Sequence, residues 1–242
     1  MIFIIDIHTH ILPGVDDGAD SISDALDLLN LAKRYGTKEI VLTPHFPNHK
    51  LEDEANYSVY NKVFNDFVNN PQVQQIGIKL YAGAENYCTS STLDRIRQKQ
   101  LITINNTEYA LIEFNENEQC SFMQECIESL FDGGYKPIIA HAERYQSLQH
   151  NARMIEEFKD RGCIIQVNAN SLICGGVRQR FADWIFGNSF ADVVASDAHN
   201  MIFRTSNLSL AYEELSHRYS FAYAEELLEI NPSYIISGKA IK

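Results

Sequence analysis

Short apolar segments alternate with helical patterns along this chain, and this alternation constrains the fold more than any other feature. The segments are rich in Ile and Val and mostly lack polar alternation; they comprise residues 2–7, 39–43, 79–82, 109–114, 137–140, 163–167 and 192–195. Strands of a parallel sheet that is covered on both faces have this composition. We therefore predict an α/β fold, either a single barrel or a wound sheet.

Apolar residues at helical spacing predict helices between these segments. Ile22, Ala25, Leu29 and Ala32, for example, follow a Ser that can cap a helix and stop before Gly36. The same spacing predicts further helices over residues 57–68, 121–131, 152–161, 178–186 and 208–219. The chain shows no internal repeat or linker, so we expect residues 1–242 to form a single domain.

Side chains that can bind a metal lie in or just after six of the seven predicted strands: His8, His10, His45, Glu85, Glu113, His141, Asp197 and His199. In α/β barrels the carboxyl ends of the strands meet at one mouth, which carries the active site. Imidazoles and carboxylates together bind Mn²⁺, Zn²⁺, Fe²⁺ or Mg²⁺. So many ligands would oversupply one ion, and we predict a site for two or three.

Structural explanations exist for single members of this set. His141 alone could be a hydrogen-bonded structural histidine, Glu113 could face outward, and Asp16 and Asp17 before Gly18 could form a turn. A structural account would need a separate explanation at each of six strands, so we prefer the metal site. The remaining histidines, His49, His150 and His217, receive no role.

Composition restricts the class of partner. The formal net charge is −12, which opposes the phosphate backbone, so we expect no nucleic-acid partner. Five scattered cysteines suit free thiols in a reducing cytoplasm better than a disulfide framework. The first residues have no basic leader, and no stretch reaches the roughly 18 apolar residues of a membrane helix. We therefore expect a cytoplasmic protein without membrane insertion.

The chain resembles the polymerase-and-histidinol-phosphatase (PHP) superfamily in the segment Asp6-Ile-His-Thr-His-Ile-Leu-Pro-Gly-Val-Asp-Asp-Gly-Ala19. Within it, the match is to the bacterial metal-dependent protein-tyrosine phosphatases of capsule and exopolysaccharide loci. Agreement continues through Thr43-Pro-His45, Gly83-Ala-Glu85, Leu111-Ile-Glu-Phe114, Ala140-His-Ala-Glu-Arg-Tyr145, Gln166-Val-Asn-Ala169 and Ser196-Asp-Ala-His-Asn200. The resemblance spans nearly the whole chain.

The resemblance implies a distorted seven-stranded TIM-like (β/α)7 barrel with three divalent ions, most often Mn²⁺, with Fe, Zn or Mg as alternatives. It implies that His8, His10, Glu85 and Asp197 hold the first ion. Glu85 would bridge to a second ion bound by Glu113 and His141, and Asp17, His45 and His199 would hold the third. Asp16 would then support or cap the site.

The resemblance further implies hydrolysis of phosphotyrosine in a protein, by direct attack of a metal-bound hydroxide and without a phospho-enzyme. Arg144 and Arg204 match the family's phosphate-binding arginines, and we place His45 and His199 with them as catalytic residues. The group that protonates the leaving oxygen stays unassigned. The implied substrate is the phosphotyrosine tail of a membrane-bound bacterial tyrosine kinase that controls polysaccharide export.

Three alternatives stay open. A histidinol-phosphate or other small-molecule phosphatase would use the same fold and metals, and a non-catalytic metal-binding PHP module would keep the ligands without the reaction. Cys174 and Arg180 also satisfy Cys-x5-Arg, the signature of cysteine-dependent tyrosine phosphatases, but without the usual flanking residues. The sequence differs from the usual family sequence at residues 46–49 and 205–208. Both segments are expected beside the site, and neither contains a predicted ligand.

Overall fold

The computed structural model describes residues 3–46, 55–98, 100–173 and 175–241. Ile2, His49 and Cys174, named above, lie outside these ranges. In the described residues nine strands are present: β1 (Ile4–Thr9), β2 (Thr37–Leu42), β3 (His45–Phe46), β4 (Lys79–Ala82), β5 (Glu85–Tyr87), β6 (Tyr109–Glu113), β7 (Lys136–Ile139), β8 (Ile164–Asn168) and β9 (Val193–Ala195). The predicted α/β class is confirmed.

All paired strands are parallel. One sheet has the order β1-β2-β4 and the other β3-β5-β6-β7-β8-β9. An isolated parallel bridge joins Thr9 to Ala198, and the amide of His10 donates to the carbonyl of Ala198 at 2.9 Å. The end of the first strand therefore lies beside the segment that follows the last one.

The strands β3 and β5 lie beyond the predicted segments 39–43 and 79–82, and the apolar pattern predicted neither these strands nor the breaks before them. Thr43-Pro44 separates β2 from β3, and Gly83-Ala84 separates β4 from β5. Proline cannot donate a hydrogen bond to a sheet. At Gly83 an added Cβ would lie 2.7 Å from Val41 Cγ1 and 3.2 Å from Thr43 Cγ2, so the two interruptions lie close together. Each break turns the chain just before a residue of the candidate site, His45 or Glu85.

The predicted helices are present, with ends shifted by a few residues. They are α1 (Ile22–Arg34), α2 (Ala55–Val68), α5 (Cys120–Asp132), α7 (Arg153–Asp160), α8 (Gly176–Gly187) and α9 (Leu208–Arg218). The sequence analysis missed α3 (Pro71–Ile76), α4 (Ser90–Arg97), α6 (Gln146–His150), α10 (Phe221–Glu225), a π-helical turn (Glu226–Ile230) and α11 (Asn231–Ile236). No helix within the described ranges is long and apolar enough to cross a bilayer.

The strands are apolar on both faces, which explains why they lack polar alternation. Ile5, Leu111 and Ile138 pack in one buried cluster, whereas their neighbours Ile4, Ile112 and Ile139 pack in another with the helices. Ile235 and Ile236 of α11 join the first cluster. The phenol of Tyr109, at the start of β6, donates to the carbonyl of Lys239. The C-terminal segment thus closes the amino ends of the strands and leaves the carboxyl ends for the site.

Candidate metal centre

All nine predicted metal ligands lie at or beyond the carboxyl ends of strands or in the breaks described above. Each belongs to at least one of four groups whose ligand atoms lie within 4.8 Å of one another. The groups are His8–His10–Asp197, His8–Glu85–His141, His45–Glu85–Glu113 and His10–Asp17–His45–His199. His8 and His199, the first and last members of the set along the chain, are 191 positions apart, so the fold brings distant residues together.

Glu85 lies at the centre of the cluster and is fully buried. Its Oε2 lies 3.3 Å from Nε2 of both His8 and His10 and 3.1 Å from Nδ1 of His45. Its Oε1 lies 2.9 Å from Nε2 of His141. One carboxylate thus faces four imidazoles from four different strands or loops, which is the arrangement expected of a bridging ligand.

The other acidic residues extend the cluster in two directions. Asp197 Oδ1 lies 3.5 Å from Nε2 of both His8 and His10. Glu113 lies 3.4 Å from both His45 and His141. These contacts bring together the first two predicted ligand sets around the shared Glu85.

Asp17 lies nearest to solvent. Its side chain is 57% exposed, and its Oδ1 lies 3.4 Å from Nε2 of His45 and of His199. The predicted third set therefore lies at the mouth. His10 belongs to this group as well as to the group with His8 and Asp197, whereas the family resemblance placed it with the first ion alone.

Buried polar atoms without a well-formed hydrogen bond indicate that this cluster can bind cations. Among the described residues, buried Glu85 Oε2 and His199 Nε2 make ion-pair contacts at 3.1–3.4 Å but no well-formed hydrogen bond, although an unsatisfied buried polar atom is costly. Nε2 of His8 and Nε2 of His10 face each other at 3.2 Å, a separation suited to two nitrogens that share one ion about 2 Å away. The donor set of imidazoles and carboxylates suits Mn²⁺, Fe²⁺ or Zn²⁺.

The electrostatics of the cluster show strong mutual stabilisation. Burial by itself would raise the pKa of Glu85, but the His8 charge and the close imidazoles of His10, His141 and His45 hold it well below its usual range. Burial would lower the pKa of His10, yet Asp16 and Glu85 raise it to about 9. Glu113 and Glu85 likewise outweigh burial and raise the pKa of His141 to about 10. Because histidine binds metal only as the neutral imidazole, a bound cation would compete with protons for these rings.

Two ligand candidates have unusual backbone conformations. His141 has φ of 33° and Asp197 has φ of 53°, both in the left-handed region that non-glycine residues rarely adopt. Such strain is concentrated at functional sites. Asp197 and His199 lie in the loop that follows β9, because this strand ends at Ala195.

Buried polar residues position the metal-ligand candidates through hydrogen bonds. Asp16 Oδ2 lies 2.7 Å from Nδ1 of His10 and Oδ1 accepts from the amide of Gly18, so Asp16 both supports His10 and caps the turn. The Gln166 Oε1 lies 3.0 Å from Nδ1 of His8, and its amide donates to Asn168. Asn168 in turn donates to Asp197 at 2.8 Å. The sequence analysis quoted Gln166 and Asn168 as part of a matching segment but gave them no role.

Asp6 performs a similar task on the other side. Its buried carboxylate accepts from both the amide and the hydroxyl of Ser196, which precedes Asp197. Burial raises the pKa of Asp6 to about 6, against these hydrogen bonds. The first strand thereby fixes the loop that carries two ligand candidates.

Arg144 and Arg204 lie beside the cluster, as predicted for phosphate-binding residues. Arg204 donates to Asp197 at 2.7 Å, and Arg144 lies 3.4 Å from the other oxygen of Asp197. Both line an open cleft of about 280 Å³. The cleft is also lined by Arg178 and Phe203, which the sequence analysis missed because neither lies at a strand end. Arg178 and Arg144 share the carboxylate of Glu116.

The described residues do not test the alternative cysteine signature as a whole. Cys174 lies outside the described residues, and Arg180 is an exposed residue of α8. The arginines that do line the cleft are Arg144, Arg178 and Arg204.

Comparisons with known proteins agree with this geometry. The sequence profile of the family described as capsular polysaccharide synthesis, CpsB/CapC, matches residues 4–237. The chain is 33% identical over 240 residues to the putative tyrosine-protein phosphatase CapC of Staphylococcus aureus, covering 98% of this chain and 91% of that protein. It is 31% identical to the tyrosine-protein phosphatase CpsB of Streptococcus pneumoniae, with 98% and 100% covered.

A solved structure with the same fold comes from a study of YwqE from Bacillus subtilis and CpsB from Streptococcus pneumoniae, described as unique metal-dependent tyrosine phosphatases. It superposes with a TM-score of 0.86 at 27% identity, covering 99% of this chain and 96% of that one. A putative histidinol phosphatase from Listeria monocytogenes has a TM-score of 0.55 at 13% identity, which shows a shared fold alone. The chain therefore belongs to the CpsB/CapC family of capsular polysaccharide synthesis proteins.

Proposed function

We propose that this protein is a metal-dependent tyrosine-protein phosphatase, with residues 1–242 acting as one phosphatase domain. The observation that carries the proposal is the convergence of nine imidazole and carboxylate ligands beside Arg144 and Arg204 at one cleft. Relatives that the chain matches over almost its whole length are named tyrosine-protein phosphatases. The physiological substrate would be a tyrosine-phosphorylated protein of capsule or exopolysaccharide synthesis, in particular the tail of a membrane-bound tyrosine kinase.

The centre would hold three divalent ions, with Mn²⁺ as the first candidate and Fe, Zn or Mg as alternatives. Following the family resemblance, His8, His10, Glu85 and Asp197 would form the inner set, Glu85, Glu113 and His141 the second, and Asp17, His45 and His199 the outer. The four groups of clustered ligand atoms include all nine of these residues, which supports the assignment. When bound, such ions polarise phosphoryl oxygens and lower the pKa of water towards neutrality. Glu85 Oε2 and His199 Nε2, which lack a well-formed hydrogen bond, support this assignment.

The arginines would bind and orient the phosphate. A guanidinium presents paired donors that match phosphate oxygens, which a lysine cannot reproduce. Glu116 holds the Arg144 side chain at 3.0 Å, and Asp197 contacts both Arg144 and Arg204. His45 and His199 lie at the mouth with Asp17, where they would meet the reacting ester.

We also propose that the strands form a distorted seven-stranded barrel of the PHP type. In this interpretation β2 with β3, and β4 with β5, count as single interrupted strands. The bridge between Thr9 and Ala198 supports closure, since it places the first strand beside the loop after the last.

Turnover of a phosphotyrosine peptide and of histidinol phosphate by the Mn²⁺-loaded protein tests the function. We expect clear preference for the peptide, loss of activity with EDTA and recovery when Mn²⁺ is restored. Preference for histidinol phosphate would support the small-molecule phosphatase instead, and bound metal without turnover of either ester would support the non-catalytic module. Activity that iodoacetamide abolishes but EDTA leaves unchanged would indicate the cysteine mechanism.

A further inference from the structure

An exposed aromatic side chain stands at the cleft that contains the phosphate-binding arginines. Phe203 is 84% exposed and Ile202 is 76% exposed, the two highest values for large apolar side chains among the described residues. Phe203 lines the cleft together with Arg144 and Arg204. Single exposed apolar residues are common on proteins, so the position of this one, rather than its exposure alone, is informative.

The loop that carries Phe203 has a defined conformation. Asn200 Oδ1 accepts from the amides of Ile202, Phe203 and Arg204 at 3.1, 2.8 and 3.3 Å. The carbonyl of Arg204 accepts from the amides of His199 and Asn200 at 2.8 and 3.0 Å. These bonds fix Phe203 between a metal-ligand candidate and a phosphate-binding candidate, so its exposure is built into the loop.

The cleft has a cationic part and an apolar part, and one class of ligand matches both. Its cationic part holds Arg144 and Arg204 around Asp197, and its apolar part is Phe203. Its volume of about 280 Å³ exceeds the roughly 150 Å³ cavity that accommodates benzene, so it has space for a phenyl ring as well as a phosphate. An aryl phosphate monoester carries a dianion at one end and an aromatic ring at the other, which matches this layout.

We propose that Phe203 forms an aryl subsite, which receives the phenyl ring of the substrate and selects aromatic over alkyl phosphate monoesters. The inference rests on the proposed phosphatase function and specifies its substrate class. Aromatic rings pack favourably in offset or edge-to-face arrangements, beyond the contribution of buried area. Phe203 is therefore a specificity-determining residue, and an ester of serine or glycerol would leave it uncovered.

Steady-state kinetics of Phe203→Ala with Mn²⁺ test the subsite. We expect the KM for phosphotyrosine and para-nitrophenyl phosphate to rise roughly 3- to 10-fold, the range of one aromatic pair, with kcat little changed. Constants for phosphoserine and β-glycerophosphate should not change, and Phe203→Tyr should restore the aryl preference. Phe221→Ala is the matched control, since Phe221 is 62% exposed on α10 and does not line the cleft. Equal losses on aryl and alkyl esters, or no loss on either, would overturn the proposal.

A binding measurement separates failure of the subsite from failure of the proposed function. Phenylphosphonate and methylphosphonate are not hydrolysed, and calorimetry on the Mn²⁺-loaded protein gives their affinities without turnover. We expect tighter binding of phenylphosphonate by the unmodified protein and loss of this difference in Phe203→Ala. Equal affinities for the two phosphonates in the unmodified protein would refute the aryl subsite. Absence of turnover on every ester, with the difference retained, would refute only the phosphatase function.

Discussion

Glu85 shows how much the site depends on individual residues. It is fully buried and contacts His8, His10, His45 and His141 at 2.9–3.3 Å. Removing one partner of such a buried charged set leaves the others uncompensated, so each ligand affects the whole cluster. The effects of single substitutions here should therefore not be additive.

His141→Ala should abolish phosphatase activity and reduce the number of bound ions while leaving the fold largely intact. His141 contacts both Glu85 and Glu113, so its loss removes a ligand that the second ion would share with them. Metal analysis, circular dichroism and turnover of para-nitrophenyl phosphate measure the three properties. His217→Ala, at an exposed position on α9, is the control. An unchanged rate in His141→Ala would refute the site as described.

Gln166→Leu should weaken metal binding although Gln166 is not a ligand candidate. Its Oε1 lies 3.0 Å from Nδ1 of His8, which fixes the ring with Nε2 towards the cluster. Loss of such a supporting residue typically costs about 10- to 100-fold in metal affinity or activity. Calorimetric titration with Mn²⁺ measures the loss, with Gln72→Leu on the exposed face of α3 as control. Equal Mn²⁺ affinity in both variants would show that Gln166 serves packing alone.

At the scale of elements, the segment between β1 and α1 illustrates how a loop is fixed for function. The amide of Ala19 donates to the carbonyl of His10 at 3.0 Å, and that of Gly14 donates to the carbonyl of Ala19 at 2.8 Å. The segment then enters α1 through a capping box formed by Ser21 and Asp24. Asp17 is thereby held at the mouth although its side chain is largely exposed.

Gly18→Ala should displace this segment and impair the outer part of the site. An added Cβ would lie 1.9 Å from the carbonyl oxygen of His10, and backbone atoms cannot give way cheaply. We expect a loss of about 1–3 kcal/mol in the free energy of unfolding, typical of overpacking, and weaker metal binding by Asp17. Chemical denaturation and metal titration measure the two effects. Gly187→Ala is the control because no atom lies within 4 Å of its added Cβ; equal stability of both variants would contradict the prediction.

The elements also show where a sequence pattern is informative. Long amphipathic helices such as α1 and the apolar strands follow directly from periodicity, and they were found with small errors at their ends. Short elements such as α3, α6 and the two-residue β3 were missed. Their formation depends on tertiary contacts, since a helix of five or six residues is unstable by itself.

At the scale of the whole molecule, the net charge of −12 does not describe the site. Four carboxylates lie among five imidazoles in the cluster, and three arginines line the adjoining cleft. Bound divalent ions would add further positive charge at the same place. The body is therefore acidic, whereas the mouth suits an anionic ester.

Removal of the metal should make stability strongly dependent on pH. In the metal-free protein the pKa of His10 is raised to about 9 and that of His141 to about 10, above the ordinary value of 6.5. Raised histidine pKa values contribute stability that is fully present below pH 6.5 and lost as pH rises through 9 and 10. The melting temperature with EDTA should fall across this range.

Addition of Mn²⁺ should reverse that loss, because an ion that binds only the folded state at 100 times its Kd stabilises it by about 2.7 kcal/mol. For a chain of this size that corresponds to a shift of roughly 5–10 °C. Differential scanning calorimetry between pH 6 and 10 measures both effects. A melting temperature that Mn²⁺ leaves unchanged at every pH would contradict the metal centre.

The sequence by itself determined the α/β class and eight of the nine side chains in the cluster, because parallel strands deliver the residues at their carboxyl ends to one edge; Asp17 was assigned through the family resemblance. His8, His45, Glu85 and His141 could be found without coordinates for this reason. Only the tertiary structure decided that His10 lies in two groups, that Asp197 leaves its strand in a left-handed conformation, and that Gln166 and Asn168 support the ligands. It also placed Arg178 and Phe203 at the cleft. Those relations join residues distant in the chain, and they depend on distances and angles that no local pattern encodes.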